Sequence, residues 1–168
     1  SDNGATHDVG GVDTGFFAST GPLRGRKGSV YEGGLRVPWL VRWPGRVAAG
    51  SVSDEIVAAQ DLMATIAEAT GATRPPACDG VSFLPVLLGA PEDRRPRTAL
   101  AFEFQGYGGQ KALRVGNRKA VMRSIQRGDT GIEVYDLGTD PGESHDIAAS
   151  PPEFVAPARE WLATERAP

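Results

Sequence analysis

The sequence predicts an α/β chain: residues 1–96 form a first part that carries a helix, and residues 97–168 form a small four-stranded antiparallel sheet closed by a C-terminal helix. Three observations predict it. Ile56, Ala59, Met63, Ile66 and Ala67 recur at spacings of three and four, the period of one helix face, and Gly71 stops the run. From Ala99 the period changes to two, with Leu100, Phe102 and Phe104 alternating with Ala99, Ala101 and Glu103 as in a strand with one buried face. Between them lies a Pro-rich stretch ending in Arg94-Arg95-Pro96-Arg97, which reads as a solvated connector and places the internal boundary.

In chain order, Ser1–His7 is the kind of polar segment that follows a buried strand, so the chain is expected to be the later part of a longer protein. Residues 8–20 read as a long irregular loop with an exposed Phe16-Phe17 pair. Gly21–Trp43 starts as a glycine-broken loop with three cations, Arg24, Arg26 and Lys27, and ends in an apolar run. A loop so rich in Gly suits a backbone that approaches an anion closely, or else a surface turn with solvated cations. Val37–Trp43 reads as a short, largely buried strand, Ile56–Thr70 as a helix, and Val81–Leu88 as a small apolar turn. Ala112–Val115 and Lys119–Arg123 flank Gly116-Asn117, a two-residue hairpin signal, and Ile132–Leu137 alternates again. Ser150-Pro-Pro-Glu153 has the form of a helix start with a capping pair, followed by Phe154, Ala158, Trp161 and Leu162 on one face. Pro157 costs a helix interior about 3 kcal/mol, so the regular helix is expected to begin close to it.

Composition excludes several classes. With 40% apolar and 23% charged residues among 168, the chain has the make-up of a globular domain with a sizeable core. A net charge of −3 without a basic block gives no electrostatic case for nucleic acid. No apolar run reaches the roughly 20 residues of a membrane span, and no signal-peptide pattern is present, which leaves cytoplasm and periplasm both open. The single cysteine, Cys78, forms no internal disulfide or multi-cysteine zinc site and reads as an inert thiol.

Asp2 and Asn3 place a carboxylate and an amide oxygen side by side, the donors that hard divalent cations take, although Asp-Asn-Gly is also a turn signal. His7 follows four residues later, and His145 reads as surface. The order Asp2-Asn3-Gly4, then Leu23-Arg-Gly-x-Lys27-Gly, then Tyr31-Glu-Gly-Gly-x-Arg-Val-Pro38, resembles the later half of the formylglycine-dependent sulfatases, the arylsulfatase family. The likeness resumes more loosely at Leu113-Arg-Val-Gly-Asn-Arg-Lys119 and at Tyr135-Asp-Leu-Gly-Thr-Asp-Pro-Gly-Glu143. Arg118 stands where the family usually has Trp.

The resemblance implies that residues 1–96 end an alkaline-phosphatase-like α/β catalytic domain and that 97–168 form its C-terminal subdomain. It further implies that Asp2 and Asn3 bind the active-site Ca²⁺ (or Mg²⁺), that Lys27 binds the sulfate and that His7 contacts the substrate. Arg24 is expected to act structurally, with Glu32 and Arg36 fixing the loop. The implied substrate is a sulfated small molecule or carbohydrate. Cys78 lies in Ala-Cys-Asp-Gly and does not match the modified-cysteine motif, so the formylglycine nucleophile is expected upstream and this chain alone is expected to be inactive. The alternatives are a phosphate or phosphonate ester hydrolase of the same superfamily, or a non-catalytic binding domain.

Overall fold

The computed structural model describes residues 1–7, 10–11, 13–149 and 152–164. Its elements are α1 (Glu32–Leu35), α2 (Asp61–Thr70), α3 (Leu84–Leu87), β1 (Leu100–Phe104), β2 (Gln110–Val115), β3 (Arg118–Arg123), β4 (Glu133–Asp136) and α4 (Pro152–Thr164). They form two compact units: residues 1–38 together with 98–168, and residues 39–97. One edge of that division falls beside the connector at 94–97, and the first 38 residues pack with the sheet that follows it.

The sheet is an antiparallel meander in the order β1-β2-β3-β4, the four strands that the alternation predicts. Val115 pairs with Arg118 across the Gly116-Asn117 turn, and Arg118 pairs with Asp136, which it also meets as an ion pair at 3.5 Å. One face carries Leu113, Ala120, Met122 and Val134, and Ala158 and Leu162 of α4 close over it. The other carries Ala112, Val121 and Tyr135, covered by Val30 and Tyr31 of the glycine-rich loop. The central strands are therefore buried on both faces. A single covered face would have left the loop around Lys27 without an anchor.

Helix α4 starts at Pro152 and runs through Pro157, against the expectation that the helix would begin near that residue. The bond that Pro157 removes is the one to the carbonyl of Glu153, an exposed residue whose oxygen water can serve, so the helix absorbs the loss. The Ser150 capping position lies outside the described residues.

Residues 37–97 correct four expectations. Residues 37–43 form no strand: among the described residues no neighbouring strand bonds them, and Leu40 is 95% exposed. The long helix begins at Asp61 rather than Ile56, because the Asp61 carboxylate takes the N–H of Ala58 at 2.9 Å and holds the preceding residues in a turn. Gly71 ends it in the left-handed region. Its buried face is Asp61, Ala64, Thr65 and Ala67, while Met63 and Ile66 are exposed. Thr65 holds the next segment by accepting the N–H of Phe83 at 3.0 Å, and the Phe83 ring meets Trp39 edge-on.

Within 94–97, expected to be a solvated connector, Arg95 and Pro96 are exposed but Arg94 and Arg97 turn inward. Arg94 bonds the carbonyl of Ile56 at 2.9 Å and the wholly buried Asp61 at 3.4 Å, and Arg97 pairs with the other Asp61 oxygen. A buried carboxylate needs cations and N–H donors around it, and Asp61 draws both arginines inward. Among the described residues no helix is long and apolar enough to cross a membrane.

Candidate functional site

Backbone hydrogen bonds gather the motif residues into one loop cluster. Gly4 N–H donates to the carbonyl of Gly34 at 3.1 Å, Lys27 N–H to that of Ala5 at 2.8 Å, and Gly33 N–H to that of Arg24 at 2.7 Å. The Ser1 nitrogen reaches the Pro38 carbonyl at 3.2 Å. The Asp2-Asn3 segment thus lies alongside both the cationic loop and the Gly33-Gly34 turn. Glycine is required here by close approach. A Cβ at Gly4 would sit 2.2 Å from the Gly33 oxygen, and one at Gly34 would sit 2.1 Å from the Ser29 oxygen.

The cluster is fastened to the sheet by charge. Lys119, at a β3 position on the loop-covered face, has no exposure; its ammonium lies 2.8 Å from Glu32 Oε1 and 2.9 Å from Glu143 Oε1. Glu32 opens α1, and its own N–H donates to Glu143 Oε2 at 2.6 Å. Arg114 adds a second cation to Glu32 at 3.4 Å. Burial pushes the Glu143 carboxyl above the ordinary range, and Lys119 opposes that shift. Glu143 holds this place with a positive φ of 53°, unusual for a residue with a side chain.

Arg24 has the structural role expected of it, with other partners. Its guanidinium donates to Tyr135 Oη at 2.8 Å and to the Glu143 carbonyl at 3.0 Å, and it lies 4.0 Å above the Tyr31 ring. Glu32, its expected partner, is taken by Lys119. Tyr31 and Tyr135 both donate to Glu133, which also accepts from Arg123 at 3.0 Å. Burial, followed by the bond to Glu133, pushes Tyr135 up to about 12 and raises Tyr31 as well. Glu133 is held below its ordinary value: burial works against that, and the three donated hydrogen bonds outweigh it.

The residues singled out for chemistry lie at the open end of this cluster. Asp2 is exposed and Asn3 half-buried, with Asn3 Nδ2 donating to Asp2 Oδ2 at 2.6 Å. Lys27 and His7 are exposed, and His7 meets Tyr107 edge-on at 6.3 Å. Of the three cations on the loop, Arg24 is committed to the sheet and Arg26 bonds Thr14, whereas the Lys27 side chain has no partner among the described residues. Asp2 and Asn3 offer two oxygen donors suited to a hard cation, too few for a whole shell. No group of three or more His, Cys, Asp or Glu side chains able to hold a metal occurs among the described residues. Cys78 is half-buried and His145 exposed.

Sequence reading did not reveal the Lys119 and Asp61 clusters. The one available signal was a lysine at a strand position sharing a face with Val121.

The family described as N-sulphoglucosamine sulphohydrolase, C-terminal, matches residues 26–157. Human arylsulfatase A is 34% identical over 163 residues, covering 81% of this chain and 31% of that protein. Among solved structures, Ps i-CgsB superposes with a TM-score of 0.70 at 28% identity, covering 82% of this chain and 30% of its own. BT4656, in complex with its substrate D-glucosamine-2-N,6-O-disulfate, superposes with a TM-score of 0.56 at 26% identity, covering 73% of this chain and 25% of its own. The chain spans about a third of the length of the curated relatives it matches.

Proposed function

We propose that this chain, which belongs to the sulfatase family, supplies a sulfate-binding lysine and two metal ligands to a sulfate-ester hydrolase. One observation carries the reading. Lys27 is the cation on the glycine-rich loop left without a side-chain partner among the described residues, and its backbone is bonded to the segment that bears Asp2 and Asn3.

A sulfate ester carries its charge on oxygens, and hydrolysis shifts charge toward the leaving oxygen. A preplaced ammonium stabilises that shift without reorganising when the reaction occurs. Anchored through Lys119 and Arg24, the loop holds Lys27 without spending Lys27 itself on the anchor. Asp2 and Asn3 would hold Ca²⁺ or Mg²⁺ with further ligands from outside this chain; when bound, the cation polarises the sulfate. His7, on the rim, would contact the leaving group. The nucleophile would come from residues outside this chain, since Cys78 lies in Ala-Cys-Asp-Gly, another motif. The 168 residues alone should therefore turn over no aryl sulfate.

Titration of the chain with sodium sulfate, followed by backbone amide NMR, tests the reading. The expected response centres on Lys27 and Gly28, disappears in Lys27→Ala and persists in Arg46→Ala, an exposed cation of the other unit. An unchanged response in Lys27→Ala would refute it.

A further inference from the structure

Gln110 is a polar side chain only 7% exposed, and it belongs to none of the ion pairs that fasten the loop cluster. It opens β2, two residues before Ala112, and so faces the side of the sheet that the glycine-rich loop covers. Its amide spans the loop backbone: Nε2 donates to the Gly28 carbonyl at 3.0 Å, and Oε1 accepts the N–H of Val30 at 3.4 Å. Only one orientation of the amide serves both, because the carbonyl needs a donor and the N–H an acceptor. Val30 is itself buried, so its N–H has no water to turn to in place of Gln110.

These bonds fall around Lys27. Ser29 N–H donates to the Arg26 carbonyl at 3.0 Å, closing a four-residue turn with Lys27 second and Gly28 third. Gly28 has φ 86°, the left-handed value that the third residue of a type II turn takes. The Lys27 N–H is bonded to Ala5, which holds the turn from the side of the Asp2-Asn3 segment. Packing of Val30 and Tyr31 against Val121 and Tyr135 fixes the chain after the turn, and Gln110 adds a bond from the sheet to the turn itself. A lysine carries its charge on a flexible four-carbon stem, so an ammonium is preplaced only where the backbone beneath it is fixed.

We propose that Gln110 is a positioning residue for the anion site: its amide locks the Lys27-Gly28 turn to β2 and thereby sets where the Lys27 ammonium stands, a role that rests on the sulfate-binding reading of Lys27. Gln110 acts on the anion only through that backbone. The Lys119 and Arg24 anchors hold the loop at Glu32 and ahead of the turn, and neither bonds residues 27–29. Loss of the Gln110 bonds would therefore leave the loop attached to the sheet and the turn loose upon it, with the lysine present but no longer preplaced.

The test uses the 168-residue chain and sodium sulfate, followed by backbone amide NMR in the parent and in Gln110→Met, which keeps the side-chain length and loses both bonds. Order parameters of Lys27 and Gly28 are expected near the rigid value of about 0.85 in the parent and to fall toward about 0.6 in the variant, with Ala120 and Val121 of β3 unchanged. Sulfate affinity read at Lys27 should weaken about 3- to 10-fold, the scale of losing one or two neutral hydrogen bonds. A merely structural role would lower the unfolding free energy and leave the sulfate affinity of the folded molecules as in the parent. That result would overturn the proposal and leave the sulfate reading standing. Absence of any Lys27 response to sulfate in the parent would remove the sulfate reading and the proposal with it. Where Gln110→Met does not fold, Gln110→Glu decides, on order parameters alone because its charge repels sulfate directly. Its carboxylate keeps the acceptor for Val30 and sets an oxygen against the Gly28 carbonyl, so Lys27 and Gly28 should loosen while Val30 stays ordered. Unchanged order at Lys27 and Gly28 in that variant would overturn the proposal.

Discussion

The ammonium of Lys119 lies 2.9 Å from Glu143 Oε1, and neither side chain has any exposure to solvent. The same ammonium holds Glu32 at 2.8 Å, so one lysine joins strand β3, the turn after β4 and the start of α1. Removing one partner of a buried ion pair leaves the other desolvated and uncompensated, a loss of about 3–5 kcal/mol. Lys119→Ala, which strands Glu143 and leaves Glu32 with Arg114 alone, should therefore unfold the sheet-bearing unit at markedly lower denaturant. An unfolding free energy within a few tenths of a kcal/mol of the parent would show that the pair is solvated.

Asp61 plays the corresponding part in the 39–97 unit. It has no exposure, accepts N–H groups from Ala58 and Val81, and pairs with Arg94 and Arg97. Asp61→Ala should speed amide exchange at Val81 and Phe83 by at least an order of magnitude, because the loss of about 3 kcal/mol falls on the segment it holds. Exchange in β2 and β3 should change far less. Uniform acceleration in both units would contradict the separate anchoring of each.

Glu133 sets a pH dependence. Its pKa in the folded chain lies below the ordinary 4.5 because Tyr31, Tyr135 and Arg123 donate to the carboxylate and outweigh burial. The unfolded state therefore binds the proton first as pH falls. The stabilisation is fully present above about 4.5 and is lost as pH drops through the lower folded value. Glu133→Gln should flatten that part of the acid limb in a plot of melting temperature against pH. A limb of unchanged steepness would assign the acid sensitivity to other carboxylates.

Gly34 tests the close packing under the loop. A Cβ there would lie 2.1 Å from the Ser29 oxygen and 2.6 Å from the Arg26 oxygen, both backbone atoms that cannot rotate away. Gly34→Ala should cost about 3 kcal/mol or more and shift the amides of Lys27 and Gly28. Unchanged stability would mean that the loop stands further from the turn than described.

Legibility in the sequence followed the range of the interactions. The sheet and its Gly116-Asn117 turn were readable because period and turn chemistry are local. The Lys27 loop and Asp2-Asn3 were readable as motifs, but their neighbourhood was not. It depends on bonds such as Lys27 to Ala5, and on ion pairs reaching from Glu32 to Lys119 and Glu143. Arg94 and Arg97 read as solvated because charge is usually exposed, and nothing local disclosed a buried Asp61. The stretch 37–43 carries apolar side chains of strand type, yet backbone pairing rather than composition makes a strand, and no partner strand lies beside it among the described residues.

The central claim is that Lys27, rather than the cationic loop in general, meets the sulfate. Its most direct test is kcat/KM for a sulfate ester in an enzyme that joins this chain to the proposed nucleophile-bearing part, with Lys27→Ala and Arg26→Ala compared side by side. Arg26 is engaged with Thr14, while Lys27 is exposed at the open end of the cluster. Lys27→Ala should lower kcat/KM by roughly 10²–10³, the scale of losing one preorganised charge-stabilising group, and Arg26→Ala should lower it far less. Equal losses from the two substitutions, with the fold intact in both, would show a diffuse cationic field and contradict the assignment of Lys27.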